Sequence, residues 1–270
     1  MSTASHVKPA ASVPTNRFAL WNLGFRPFFL FAVVFSAITI ACWVAQFAGW
    51  TGSHMFLAGP LWHAHEMLFG YAFAVIAGFL FTAVRNWSNQ PTPTGPTLAL
   101  IAALWLAGRV LVLTPWPLLA AVPDTAFALA VAAGIAVPLV RSRNARNYFF
   151  IGLVLALGAV NLGFYLAMGE WLQFAVDRGL RFGLDLVLLI MVIMGGRVIP
   201  MFTANAVRGA QPRRYPWLER VAIGSVIVLL AAESLPLPAI AIALVAAVCA
   251  LAQGARLVLW QPWLTAKQPI

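Results

Sequence analysis

The chain reads as a succession of apolar runs with almost no charge inside them. Uncharged stretches of about 18–22 residues recur along it, and at a helical rise of about 1.5 Å per residue each crosses the roughly 30 Å hydrocarbon core of a bilayer. Charged residues make up 9% of the 270 and hydrophobic residues 62%, against about 45–50% apolar in a soluble domain. Barrel strands alternate polar and apolar positions, and these runs do not. The pattern predicts an all-α, polytopic transmembrane helical bundle in contact with the lipid bilayer.

Eight spans are predicted, at roughly 27–48, 66–84, 97–114, 118–140, 148–168, 180–202, 219–235 and 238–259. Residues 1–26 are expected to form a cytoplasmic tail and an interfacial lead-in, 27–260 the bundle, and 261–270 a cytoplasmic C-terminal tail. Asp124 in the fourth run, and Pro236 and Pro238 between the last two, make those the weakest assignments. With eight spans, Lys8, Arg17, Arg26, Arg85, Arg141, Arg143, Arg146, Arg208, Arg213, Arg214, Arg220, Arg256 and Lys267 share one side, while Arg178 and Arg181 face the other. The positive-inside rule then predicts both termini in the cytoplasm. The net charge of +10 lies in short clusters between apolar runs. No basic face with interleaved aromatics exists, so nucleic acid is not an expected partner. Cys42 and Cys249 sit in apolar runs and build no disulfide framework. Met1–Arg26 is polar and precedes a full-length span, so no cleavable signal peptide is expected.

Leu61–Gly70 concentrates the chemistry. It carries His63 and His65, two of four histidines, beside Glu66, one of seven acidic residues, at the mouth of the second span. Imidazole is the commonest metal ligand, and the Glu66 carboxylate and Met67 thioether widen the choice of ion. The same residues also read as interfacial anchors: Trp62 in an aromatic belt, the histidines wetted by headgroups, Glu66 favouring the helix dipole. Arg109, Arg181 and Asp185 fall inside or near spans, where ionisable groups are costly. They either serve function, pair, as Arg181 and Asp185 can at i, i+4, or snorkel to headgroups. Gly195-Gly196-Arg197-Val198-Ile199-Pro200 predicts a helix loosened at Pro200 with an arginine in the break. Arg197 there either clamps a carboxylate or reaches the cytoplasmic surface. A faint echo joins Phe81-Thr82-Ala83 and Phe202-Thr203-Ala204, both at the inner ends of spans. No nucleophile triad, phosphate loop or catalytic carboxylate pair appears, so no enzymatic reaction is assigned.

Trp21-Asn22-Leu23-Gly24-Phe25-Arg26-Pro27-Phe28-Phe29, Trp62-His63-Ala64-His65-Glu66-Met67-Leu68-Phe69-Gly70, Ala77-Gly78-Phe79-Leu80 and Gly196-Arg197-Val198-Ile199-Pro200-Met201-Phe202-Thr203 together resemble the NnrS family. The resemblance implies a multi-pass protein of the bacterial inner membrane that contains haem and copper and serves nitric oxide response and denitrification. It also marks His63, His65, Glu66 and Met67 as metal candidates, and His63, His65 and Arg197 as cofactor-binding, with Arg197 suited to a haem propionate. Histidines spaced by one residue do not easily bind opposite faces of one haem iron. Either one ligates haem while the other holds copper, or both bind one copper with Met67 or Glu66. Of the remaining histidines, His54 is better placed than His6 to oppose them. An open iron position would take nitric oxide or a related diatomic. The rival readings are a metal-free transporter or channel lined by Arg109, Asp185 and Arg197, and a structural membrane subunit that holds a partner. Family members look longer, with about twelve spans, so the chain reads as a shortened or truncated member.

Overall fold

The computed structural model describes residues 19–50, 57, 59–173, 175–233 and 235–267, with side chains up to 264. Eight rods follow one another: α1 (Phe25–Phe47), α2 (Gly59–Ser88), α3 (Gly95–Leu111), α4 (Pro117–Arg141), α5 (Phe149–Met168), α6 (Val176–Ala206), α7 (Pro216–Glu233) and α8 (Ala239–Trp260). Their boundaries follow local chemistry. Pro96 and Pro117 sit in the first turns of α3 and α4, where a missing N–H costs nothing. Asn89 and Gln261 end α2 and α8 in the left-handed region, with φ of 51° and 59°. Among the described residues no strand occurs.

The rods lie where the sequence predicts spans, but the count of eight is corrected. Six are long and apolar enough to cross a membrane. α3 is apolar but has only 17 residues, and α7 carries Glu219, Arg220 and Glu233 within its 18. The bundle therefore has about six or seven spans. α4, 25 residues long, is among the six, and Asp124, its weak point in sequence, is buried and paired. One further expectation, the break at Pro200, is corrected, and one of the alternatives for Arg181 and Asp185 falls away. α6 runs unbroken through Pro200, and no ion pair joins Arg181 to Asp185 among the described residues.

Burial is uneven. In the most apolar window of α2, 67% of residues are buried, against 17% in α1 and 11% in α8. α2 is thus the central rod. It packs against α1 and α4, while α4 packs against α3 and α5, and α5 against α6. Phenylalanines fill the junction: Phe28 meets Phe81 and Phe127 at 6.1 and 5.8 Å, and Phe73 meets Phe127 at 5.1 Å between ring centres. α7 and α8 form a separate hairpin with its own small core of Leu218, Ala222 and Ala252.

Near its start α2 widens. Glu66–Ala72 forms a π-helical turn, a local rewinding frequent at functional sites. The Gly70 carbonyl in that turn accepts a 2.9 Å hydrogen bond from Trp105 Nε1 of α3.

Candidate functional site: a buried charge cluster beneath His63

Short connections make successive rods antiparallel, so the start of α2, the end of α3, the start of α4 and the end of α5 meet at one end of the bundle. Each contributes polar side chains: His65 and Glu66 from α2, Arg109 from the last turn of α3, Asp124 from two turns into α4, and Asn161 and Tyr165 from α5. Asn161 and Tyr165 are four apart and share one helix face. All six are buried, with His65 and Tyr165 at 0% exposure and Arg109 at 4%.

The guanidinium of Arg109 joins the two carboxylates. Its Nη1 donates to Glu66 Oε1 at 2.8 Å, and its Nη2 donates to Asp124 Oδ2. Asp124 Oδ2 also accepts from Asn161 Nδ2 at 3.1 Å and from the Tyr165 hydroxyl at 2.7 Å. The approach of α3 to α4 depends on Gly108, because a Cβ there would overlap the Asp124 carboxylate. Any larger residue at 108 would push the carboxylate away from the fork that holds it.

His65 closes the circuit. Its Nδ1 lies 2.8 Å from Glu66 Oε1, and its Nε2 lies 2.9 Å from Asn161 Oδ1. Asn161 already donates its amide nitrogen to Asp124, which leaves its oxygen for the imidazole. Both ring nitrogens are thereby engaged, one by the Glu66 carboxylate and one by the Asn161 amide oxygen. Arg109, set between Glu66 and Asp124, is the cation that both buried carboxylates share. Phe69, Phe164 and Tyr165 wall the imidazole at 5.1, 4.7 and 5.2 Å between ring centres. Two atoms in this dry space have no hydrogen-bond partner, Glu66 Oε2 and Arg109 Nε.

His63 differs from His65 in every respect. It is half-buried, its ring stacks on Trp43 at 4.3 Å and 17°, and its buried Nδ1 has no partner. Residues two apart on a helix point about 200° away from one another. The two histidines therefore do not converge, and among the described residues no group of three or more His, Cys, Asp or Glu forms a metal cage. Met67 is half-buried. Arg197 lies at the other end of the bundle, beside Trp87 of α2. His63 and Trp87 are separated by about 36 Å of helix, so the structure does not bring Arg197 and the histidines together. His6 and His54 lie outside the described residues.

Sequence reasoning flagged Arg109 and Asp124 separately and passed over Asn161 and Tyr165. A usable signal was present. Arg109 and Asp124 flank one short connection, so two antiparallel helices bring opposite charges to one end. Asn161 and Tyr165, lacking charge, gave no comparable sign.

Neither a curated protein nor a solved structure matches the chain. The family model described as NnrS protein matches residues 19–270, nearly the whole chain, and the protein belongs to the NnrS family.

Proposed function

We propose that the protein serves the response to, or tolerance of, nitric oxide in the bacterial inner membrane, and that His63 is its side chain for haem or copper. The family is generally associated with haem and copper, and the residues at this end of α2 fit one ligand better than two. The observation that carries the reading is the contrast between the imidazoles. His63 keeps a ring nitrogen without a partner, whereas both nitrogens of His65 are committed. A bound haem or copper would supply diatomic binding and one-electron chemistry there.

The chain's own residues divide the remaining work. Trp43 fixes the plane of the His63 ring by stacking. His65 and Glu66, turned inward, tie the start of α2 to α3, α4 and α5 through Arg109, Asp124 and Asn161. That anchor sets the direction in which His63 leaves the helix, as second-shell bonds do for ligands generally. Met67 stands one helical turn on from His63 and is the added soft donor if copper is held. The charge pattern puts this end on the periplasmic side.

Iron, copper and haem quantification on purified wild type, His63→Ala and His65→Ala tests the reading. His63→Ala should lose the metal while keeping its stability within about 1 kcal/mol of wild type. His65→Ala should instead lower the melting temperature. If His63→Ala holds as much iron and copper as wild type, the assignment is wrong. A transport path through Arg109 and Arg197 has less support, because Arg109 is closed in by two carboxylates and Arg197 stands at the opposite end.

A further inference from the structure

Away from the histidines, a cavity of about 380 Å³ opens between the start of α1, the end of α2 and the last third of α6. Phe25, Phe29, Phe79, Trp87 and Phe202 line it, and Arg197 stands at its edge. The guanidinium lies 5.4–5.5 Å from the ring centres of Trp87, Phe149 and Phe150. One of its nitrogens is used: Nη1 donates to Asn147 Oδ1 at 2.6 Å. Among the described residues no carboxylate pairs with it, and its remaining donors have no protein acceptor. Arg197 thus stands at the edge of an aromatic slot with no carboxylate paired to it among the described residues.

Such a charge at membrane depth calls for an anion. The slot itself calls for something apolar, and its rim is open to the lipid phase, with Phe202 and Met201 more than half exposed. Arg26, Arg85, Arg141, Arg143, Arg208, Arg213 and Arg220 belong to the same end of the bundle by the alternation of the rods. By the positive-inside rule that end faces the cytoplasm, where anionic lipids give the leaflet its negative potential and basic pockets between helices take up their headgroups.

We propose that this slot is a binding site for one anionic phospholipid, with its phosphate on the Arg197 guanidinium and the start of an acyl chain among Phe29, Phe79 and Phe202. The planar fork of arginine suits a phosphate oxygen pair, and the stacked rings hold that fork in place before the lipid arrives. Thr82 and Thr203, from the two Phe-Thr-Ala echoes, both turn their hydroxyls back onto carbonyls four residues earlier, at 3.0 and 2.9 Å. Neither hydroxyl then competes with the acyl chain for the slot.

Native mass spectrometry of the purified full chain, after exchange into a delipidating detergent and titration with phosphatidylglycerol, reads this out. Wild type should retain one phosphatidylglycerol, and phosphatidylcholine should be retained at least about tenfold less, the usual weight of a charge-assisted phosphate contact. Arg197→Gln should lose that preference, and Arg197→Lys should keep part of it. Thr82→Phe, which fills the slot and leaves the arginine in place, should also lose it, so the outcome does not depend on Arg197→Gln folding. His63→Ala should keep it, which separates this site from the one proposed for the metal. Equal retention of the two lipids by wild type, or undiminished phosphatidylglycerol binding by both Arg197→Gln and Thr82→Phe, would overturn the proposal. Protection by inorganic phosphate alone, with no gain from the lipid, would reduce the site to an anion contact and also overturn it.

Discussion

Arg109 and Arg256 are both buried arginines in apolar helices, and their surroundings differ in how fully each guanidinium is satisfied and how dry its carboxylate partners are. Arg109 lies between two dry carboxylates beside His65, and its Nε and the far oxygen of Glu66 are left without partners. Arg256, 1% exposed, is satisfied on every nitrogen. Nε and Nη2 take both oxygens of Glu219 at 3.3 and 3.1 Å, Nη1 takes Gln253 Oε1 at 2.8 Å, and Nη2 also reaches the Val192 carbonyl at 3.1 Å. Trp260 covers the guanidinium at 5.0 Å. Its carboxylate is partly wet, with the Glu219 side chain 16% exposed. A saturated fork with a solvated partner fastens the α7–α8 hairpin to α6. The Arg109 set is dry, keeps two atoms without partners, and holds the start of α2 that carries the histidine proposed as the ligand.

The contrast breaks most visibly at Arg109. Arg109→Met leaves Glu66 and Asp124 buried without their cation and should cost about 3–5 kcal/mol. In detergent this would appear as a lost or sharply lowered melting transition, and wild-type melting would show that the cluster does not hold α2, α3 and α4 together. Adding Glu66→Gln and Asp124→Asn removes the orphaned charges and should recover much of the loss. Asp124→Asn alone strips the shared acceptor of Arg109, Asn161 and Tyr165 and should cost about 3 kcal/mol, read by the same melting experiment.

Smaller effects are expected at the hairpin. Arg256→Met should cost about 1–2 kcal/mol, because Glu219 retains water and Arg214 at 3.6 Å. Gly196→Ala should match it, since a Cβ at 196 would overlap the Arg256 guanidinium. The double variant should be no worse than either single one, a non-additivity that a double-mutant cycle measures directly. Additive losses would separate the glycine notch from the arginine. The smallest effect is Trp105→Phe, which removes the donor to the Gly70 carbonyl and should cost about 1 kcal/mol. Hydrogen exchange confined to 66–72 would locate that loss.

Much of the bundle was legible because apolar length is a one-dimensional property. The eight runs became eight rods in the expected order. The error in span number came from α3 and α7, where a run looked long enough only when neighbouring apolar loop residues were counted or three charges near its ends were ignored. Pro200 misled in the same direction. Its missing N–H suggests a broken helix, but Arg256 and Glu219 pack on the glycine turn just before it, and α6 stays helical through it. The Leu61–Gly70 cluster was found by residue type, yet its division into one free and one committed histidine was not.

The sequence by itself determined that this chain lives in a membrane as helices, which residues enter the NnrS family match, and where the ionisable groups sit along each rod. Those follow from hydropathy and order, which need no folding to be read. Only the tertiary structure decided that His65 faces Glu66 and Asn161, that Arg109 is shared between Glu66 and Asp124, and that Arg197 stands with Trp87 far from both histidines. Each of those depends on which helix faces come together. In lipid, hydrophobicity no longer selects those faces, and close packing and polar satisfaction must do so instead.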